Sequence, residues 1–159
     1  MLALLSLEAC FFFPSSRPSQ AQVAAQLREE GKFEEAIAAY RKHIADREQS
    51  PSRAEDENPS FYLVLIGDVE MQRGDRQAAK AAYAAARTQN VSTGLVGDRY
   101  RQLAEAYAKD SEYEEAIAVL KEGRDIDPLL FDIAIDDLHK RSLQAEDGTL
   151  TTEPSRPPQ

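Results

Sequence analysis

Apolar and polar positions along this chain follow a helical period, in paired segments separated by short turns. The clearest pair begins at Tyr100. Tyr100, Leu103 and Tyr107 recur at i, i+3 and i+7 on one helical face. The small Ala104 beside them lets a second helix approach closely. The acidic run Glu112-Tyr113-Glu114-Glu115 suits the positive end of a helix dipole, so the second helix is expected to start there. It would carry Ala116 and Leu120 and stop at Pro128, because proline cannot continue the hydrogen-bond ladder.

Upstream the pattern returns twice. Leu63, Ile66 and Gly67 precede a Gly74-Asp75 turn, followed by Ala79 and Tyr83 in an alanine-dense helix. Val23, Ala24 and Leu27 precede Gly31, then Phe33, Ala36, Ile37, Tyr40 and Ile44. Gly31 suits a tight turn, where a positive φ costs glycine nothing. Arg47 to Ser60 is polar, and Pro51 and Pro59 forbid a continuous helix, so a helix end followed by a loop is expected. Asn90 to Gly94 links the second pair to the third. A last helix is expected from Leu129 to about Leu143. Leu130, Ala134 and Leu138 form its apolar stripe with Phe131 and Ile135, and Asp132, Asp136, Asp137, Lys140 and Arg141 its wet face. Residues 144–159 carry Gly148, Pro154, Pro157 and Pro158 without an apolar period and read as disordered.

These positions resemble the tetratricopeptide repeat (TPR) family. Its unit of about 34 residues is a helix–turn–helix with W-x2-L-G-x2-Y, then A-x3-F, then P. Tyr100, Leu103, Ala104, Tyr107, Ala116, Leu120 and Pro128 stand at those places. The chain departs from the pattern at Glu70, where the family prefers an aromatic, at Lys80 beside Ala79, and at His43 in place of alanine. The resemblance implies an all-α, right-handed solenoid of three TPR units, at about 19–50, 60–93 and 97–128. A cap helix at 129–143 would close the array with its polar side outward.

Charge narrows the partners. A net charge of −9, from 19 basic and 28 acidic residues, disfavours general binding to a phosphate backbone, so no nucleic acid is expected. One cysteine permits no internal disulfide. It lies in the apolar run Met1 to Phe13, which is shorter than the roughly 20 residues of a membrane-spanning helix. Followed by Pro14-Ser15-Ser16-Arg17-Pro18, residues 1–18 read as an export signal and its exit. Leu7-Glu8-Ala9-Cys10 resembles a bacterial lipobox, which makes Cys10 a lipidation candidate and implies a lipid-anchored envelope protein on the periplasmic side. Two other readings stay open: cleavage after Ser19-Gln20-Ala21, and an apolar segment packed on the first repeat of a cytoplasmic protein.

Chemistry-bearing motifs are absent from the sequence. No nucleophile–base pairing, glycine-rich phosphate loop or Cys/His metal spacing occurs, so neither an enzyme, a cofactor nor a metal is expected. His43 and His139 read as a helix-contact residue and a helix C-terminal charge complement. The TPR resemblance implies a concave groove of first helices that takes a protein or peptide. Its family positions map onto Ala21, Ala25, Arg28 and Glu29, then Phe61, Val64, Asp68, Met71 and Gln72, then Asp98, Arg101, Glu105, Ala108 and Lys109. The subfamily that clamps a C-terminal carboxylate has Lys and Asn where this chain has Ala21 and Ala25. Phe61, Val64 and Met71 would supply an apolar anchor or pack inside. The expected function is an interaction scaffold assisting assembly of other proteins, anchored at the envelope; the alternative is an unlipidated adaptor or co-chaperone.

Overall fold

A computed structural model describes residues 18–150, with side chains described to residue 147. The N-terminal apolar segment with Cys10, and the tail beyond residue 150, lie outside the described residues.

The described chain is an all-α solenoid of three helix pairs and a final helix. The first pair is α1 (Gln20–Glu29) and α2 (Phe33–Glu48). A short 3-10 turn, Pro59–Phe61, leads into α3 (Tyr62–Arg73), which pairs with α4 (Arg76–Thr88). The third pair is α5 (Thr93–Lys109) and α6 (Tyr113–Gly123), and α7 (Pro128–Leu150) follows. Each second helix packs on the first helix of the next pair, and α3 touches α5 as α5 touches α7.

Small residues set the spacing within pairs. Ala24, Gly67 and Ala104 hold equivalent, buried places in α1, α3 and α5. At Gly67 even a methyl group is excluded: its Cβ would stand 2.2 Å from Cε1 of Tyr83. The hairpin turns are equivalent too, with left-handed residues at Gly31, Gly74 and Ser111. Ser111 adopts φ +64° where the other two pairs use glycine, a conformation that costs an L-residue about 1–2 kcal/mol.

Burial divides into two clusters that meet at α3. Ala24, Ala36, Ile37, Ala39 and Tyr40 pack on Ile66 and Val69. Val64 belongs to the other cluster, with Tyr83, Tyr100, Leu103, Tyr107, Leu120 and Phe131. Glu70, in an aromatic's place, is 5% exposed. Arg73 Nη2 stands 2.6 Å from its Oε2, and Nη1 reaches Glu34 of the first pair at 3.1 Å.

Three boundaries differ from the sequence reading. Helix α6 ends at Gly123, and Pro128 opens α7 instead of stopping α6. Proline suits the first turn of a helix, whose N–H has no partner within that helix anyway. Helix α5 begins at Thr93, a turn before the expected start of the third unit. Helix α7 continues to Leu150, so residues 144–150 are helical where disorder was expected.

The Arg47–Ser60 insertion is the end of α2 followed by a loop, as expected, and the loop is tied at both ends. Arg47 makes a two-pronged contact with Glu57, with Nε donating to Oε1 at 2.7 Å and Nη2 to Oε2. Asn58 accepts from the Ser60 N–H and donates to the Gln89 carbonyl at the end of α4.

Candidate functional site

The first helices α3, α5 and α7 lie side by side, so their outward faces form the surface to which the groove residues were assigned. The structure sorts those residues by what holds them. Val64 is 0% exposed and packs within the C-terminal cluster. It is a core residue, not part of an apolar anchor. It clusters with residues of α4 and α5 and is fully covered. Met71 is half-buried against the same cluster. Phe61 is open, 42% exposed, its ring edge-on to Tyr62 with centroids 5.7 Å apart.

Asp68 is bound within the fold. Arg99 grips both its oxygens, Nε to Oδ1 at 2.7 Å and Nη2 to Oδ2 at 2.9 Å, and the Tyr83 hydroxyl donates to Oδ1 at 2.9 Å. Burial and the adjacent carboxylate push the Tyr83 phenol well above its ordinary pKa. The Tyr83 hydroxyl therefore keeps its proton and serves as a donor, and the three side chains join α3, α4 and α5.

Glu105 is likewise engaged. Arg141 of α7 donates to both its oxygens, at 2.9 and 3.3 Å, and these bonds hold its carboxyl below the usual carboxylate range. Arg101 ion-pairs with Asp98, and its Nε is buried without a hydrogen-bond partner. Lys109 is exposed at the end of α5, and Arg28 is half-buried on α1. Ala21 and Ala25 are half-buried, and Ala108 is buried at 3%. Cys10 lies outside the described residues.

Arg99 and Arg141 were not among the sequence candidates, although they neutralise two that were. Their partners lie 31 and 36 residues away, close to one repeat length. Opposite charges at that separation are the signal that would have found them. The second-helix edge follows the same rule. Arg76 pairs with Asp110 and Glu112 and stacks over the Tyr107 ring at 4.9 Å, while Arg87 pairs with Asp125.

Among the described residues no group of three His, Cys, Asp or Glu side chains could hold a metal ion, and no helix is long and apolar enough to cross a membrane. The open face offers the exposed ring of Phe61 at the head of α3 and the exposed α5 side chains Asp98 and Lys109. Such a surface can bind a polypeptide through shape and charge.

No family model matches the chain, and no curated protein sequence matches it. Among solved structures, a crystal structure of MamA is 16% identical with a TM-score of 0.45, covering 83% of this chain and 79% of that one. A second crystal structure of the MamA protein is 18% identical with a TM-score of 0.44, covering 87% of this chain and 78% of that one. With both scores below 0.5, the solenoid assignment rests on the chain's own helix pairs: equivalent turns, equivalent small residues and ion pairs repeating near one unit length.

Proposed function

We propose that this chain is a protein-interaction scaffold that takes an extended segment of another protein across the first-helix face. The observation that carries this reading is Phe61. It is a large aromatic left open at the head of α3, while Val64, Asp68 and Glu105 further along the first helices are already committed to the fold. Aromatic residues at the centre of an interface commonly supply much of its binding energy. Asp98 and Lys109 on α5 supply exposed charges of both signs near this face.

The test is photo-crosslinking in cells of origin, with a reactive side chain at Gln72 on this face or at the exposed Lys42 on α2. A discrete protein adduct is expected from position 72 alone, and Phe61→Ala should remove it without changing helical circular dichroism. An adduct that survives Phe61→Ala, or that forms only from position 42, would place the partner elsewhere.

The same proposal anchors the scaffold at the cell envelope through a lipid on Cys10. Two features support processing there over cleavage after Ala21. Ser19 and Gln22 form a capping box at the start of α1, and cleavage after Ala21 would remove Ser19 from it. The lipobox-like run lies upstream and leaves α1 whole. Intact mass and membrane fractionation of the native protein beside Cys10→Ala decide it. A mature chain beginning at Cys10 with added lipid mass is expected; a full-length unmodified soluble chain would replace the envelope scaffold with an unlipidated adaptor.

A further inference from the structure

Helix α7 has two apolar sides. Phe131, Ile135 and Leu138 are buried in the C-terminal cluster, at 1, 8 and 4% exposure. This is the side that was expected to be apolar, but Leu130, expected on it, is 39% exposed because it lies at the margin of the buried arc. The other side was expected to be the wet face of Asp132, Asp136, Asp137, Lys140 and Arg141, and it carries large apolar residues as well. Leu129, Ile133 and Leu143 are 73, 59 and 62% exposed, with exposed Asp136 and Lys140 between them. At about 100° per residue, these five positions fall in one sector roughly 80° wide, opposite the buried side. Scattered apolar residues on a surface need no explanation, but an aligned set of this kind marks an interaction face.

The order of residue types along that face identifies what covers it. Beyond Leu129, which stands at the helix start outside the symmetric set, it runs Ile133, Asp136, Lys140, Leu143. Ile133 and Leu143 lie equally far on either side of Leu138, and so do Asp136 and Lys140. We propose that a second copy of this chain docks here, with the two α7 helices antiparallel about a two-fold axis at the level of Leu138. Ile133 then meets Leu143 of the other copy, and Asp136 meets Lys140, each contact made twice. This is the self-complementarity a two-fold interface requires.

A parallel arrangement in the same register would set Asp136 on Asp136 and Lys140 on Lys140, and like charges exclude it. Asp136 and Lys140 make no ion pair among the described residues, so both are available to the partner copy. The apolar segment Met1–Phe13 is a poorer match, because it has no basic residue to meet Asp136. A single-helix contact belongs to the weak interface class, under about 1,200 Å². The dimer is therefore expected at protein concentrations on the order of 10–100 µM.

The experiment is sedimentation equilibrium of the full chain and three charge variants across that range. Asp136→Lys sets two lysines against two, and Lys140→Asp sets two aspartates against two. Each is expected to weaken the dimer by about tenfold or more. The double variant D136K/K140D reverses both pairs and should dimerise like the original. An equimolar mixture of the two single variants should form a mixed dimer. Both substituted positions are solvent-exposed, so helical circular dichroism should not change and loss of fold cannot imitate the result. A strictly monomeric original chain overturns the proposal, as it would if Met1–Phe13 covered the face. Single variants that associate as well as the original also overturn it, by placing self-association at another surface.

Discussion

The two hydrophobic clusters on either side of α3 are built from different materials. The first pair contributes Ala24, Ala36, Ile37, Ala39 and Tyr40, so most of its buried positions are alanine, and it borrows Ile66 and Val69 from α3. The third pair contributes Tyr100, Leu103, Tyr107, Ile117 and Leu120, and is covered by α4 on one side and by Phe131, Ile135 and Leu138 of α7 on the other. Apolar stabilisation scales with buried area, about 25 cal/mol per Å², so the alanine-rich end gains less from its own side chains. In an array where each unit rests on its neighbours, position matters as much as composition. Among the described residues α1 and α2 are covered from one side only. The array should therefore open from that end first.

The largest test of this difference truncates one buried ring in each cluster. Phe131 fills the notch formed by Gly97 and Gly123, where a Cβ on Gly123 would lie 2.7 Å from its ring. Phe131→Ala is expected to cost about 4 kcal/mol and to lower the urea midpoint of the whole molecule. Tyr40→Ala should speed hydrogen exchange in α1 and α2 and leave α5 and α6 protected. Equal loss of protection throughout would merge the two regions into one cooperative unit.

Gly67→Ala sharpens the comparison at the joint. The new methyl must displace Tyr83, whose ring belongs to the C-terminal cluster, at a cost of about 2–3 kcal/mol. Because Ile66 and Val69 flank it, exchange should rise in both clusters; a rise confined to α1 and α2 would show that α3 belongs with the first pair.

The smallest effect is one of pH and belongs to the first pair alone. His43 stands edge-on to Tyr62 with ring centroids 4.4 Å apart, and burial first, then Arg47, holds its imidazole below the usual histidine value. The folded chain thus resists a proton that the unfolded chain accepts. Its contribution is intact above about pH 6.5 and falls as pH drops through that value toward the lower folded pKa. Between pH 7.5 and 5.5 the original should lose stability relative to His43→Gln, by less than about 1 kcal/mol for a group only partly buried. Parallel pH profiles of the two proteins would remove His43 from the account.

Local chemistry explains what the sequence made legible. Gly31 and Gly74 mark turns because only glycine takes a positive φ without strain, and Gly67 and Ala104 mark close crossings because they are small. Such constraints act within a few residues or recur at one repeat length. Val64 was ambiguous because helical period gives a direction but not the neighbour that lies there. Asp68 and Glu105 looked like free groove charges because their arginines sit about one unit away in the chain. Pro128 is compatible with ending one helix or starting another, and its local sequence serves both. The apolar residues on the outer side of α7 were hidden by the aspartates interleaved with them.

The loop between α2 and α3 has a practical consequence. Its ends are fixed by Arg47 on Glu57 and by Asn58 on the Gln89 carbonyl, while residues 51–56 are exposed. Chain length there is uncoupled from the phase of the array, because the next unit takes its register from the anchored ends. The joint is a natural permissive site. An epitope tag or small reporter placed between Ala54 and Asp56 would be displayed outside the solenoid, giving an engineer a handle on the molecule that leaves both the Phe61 face and α7 untouched.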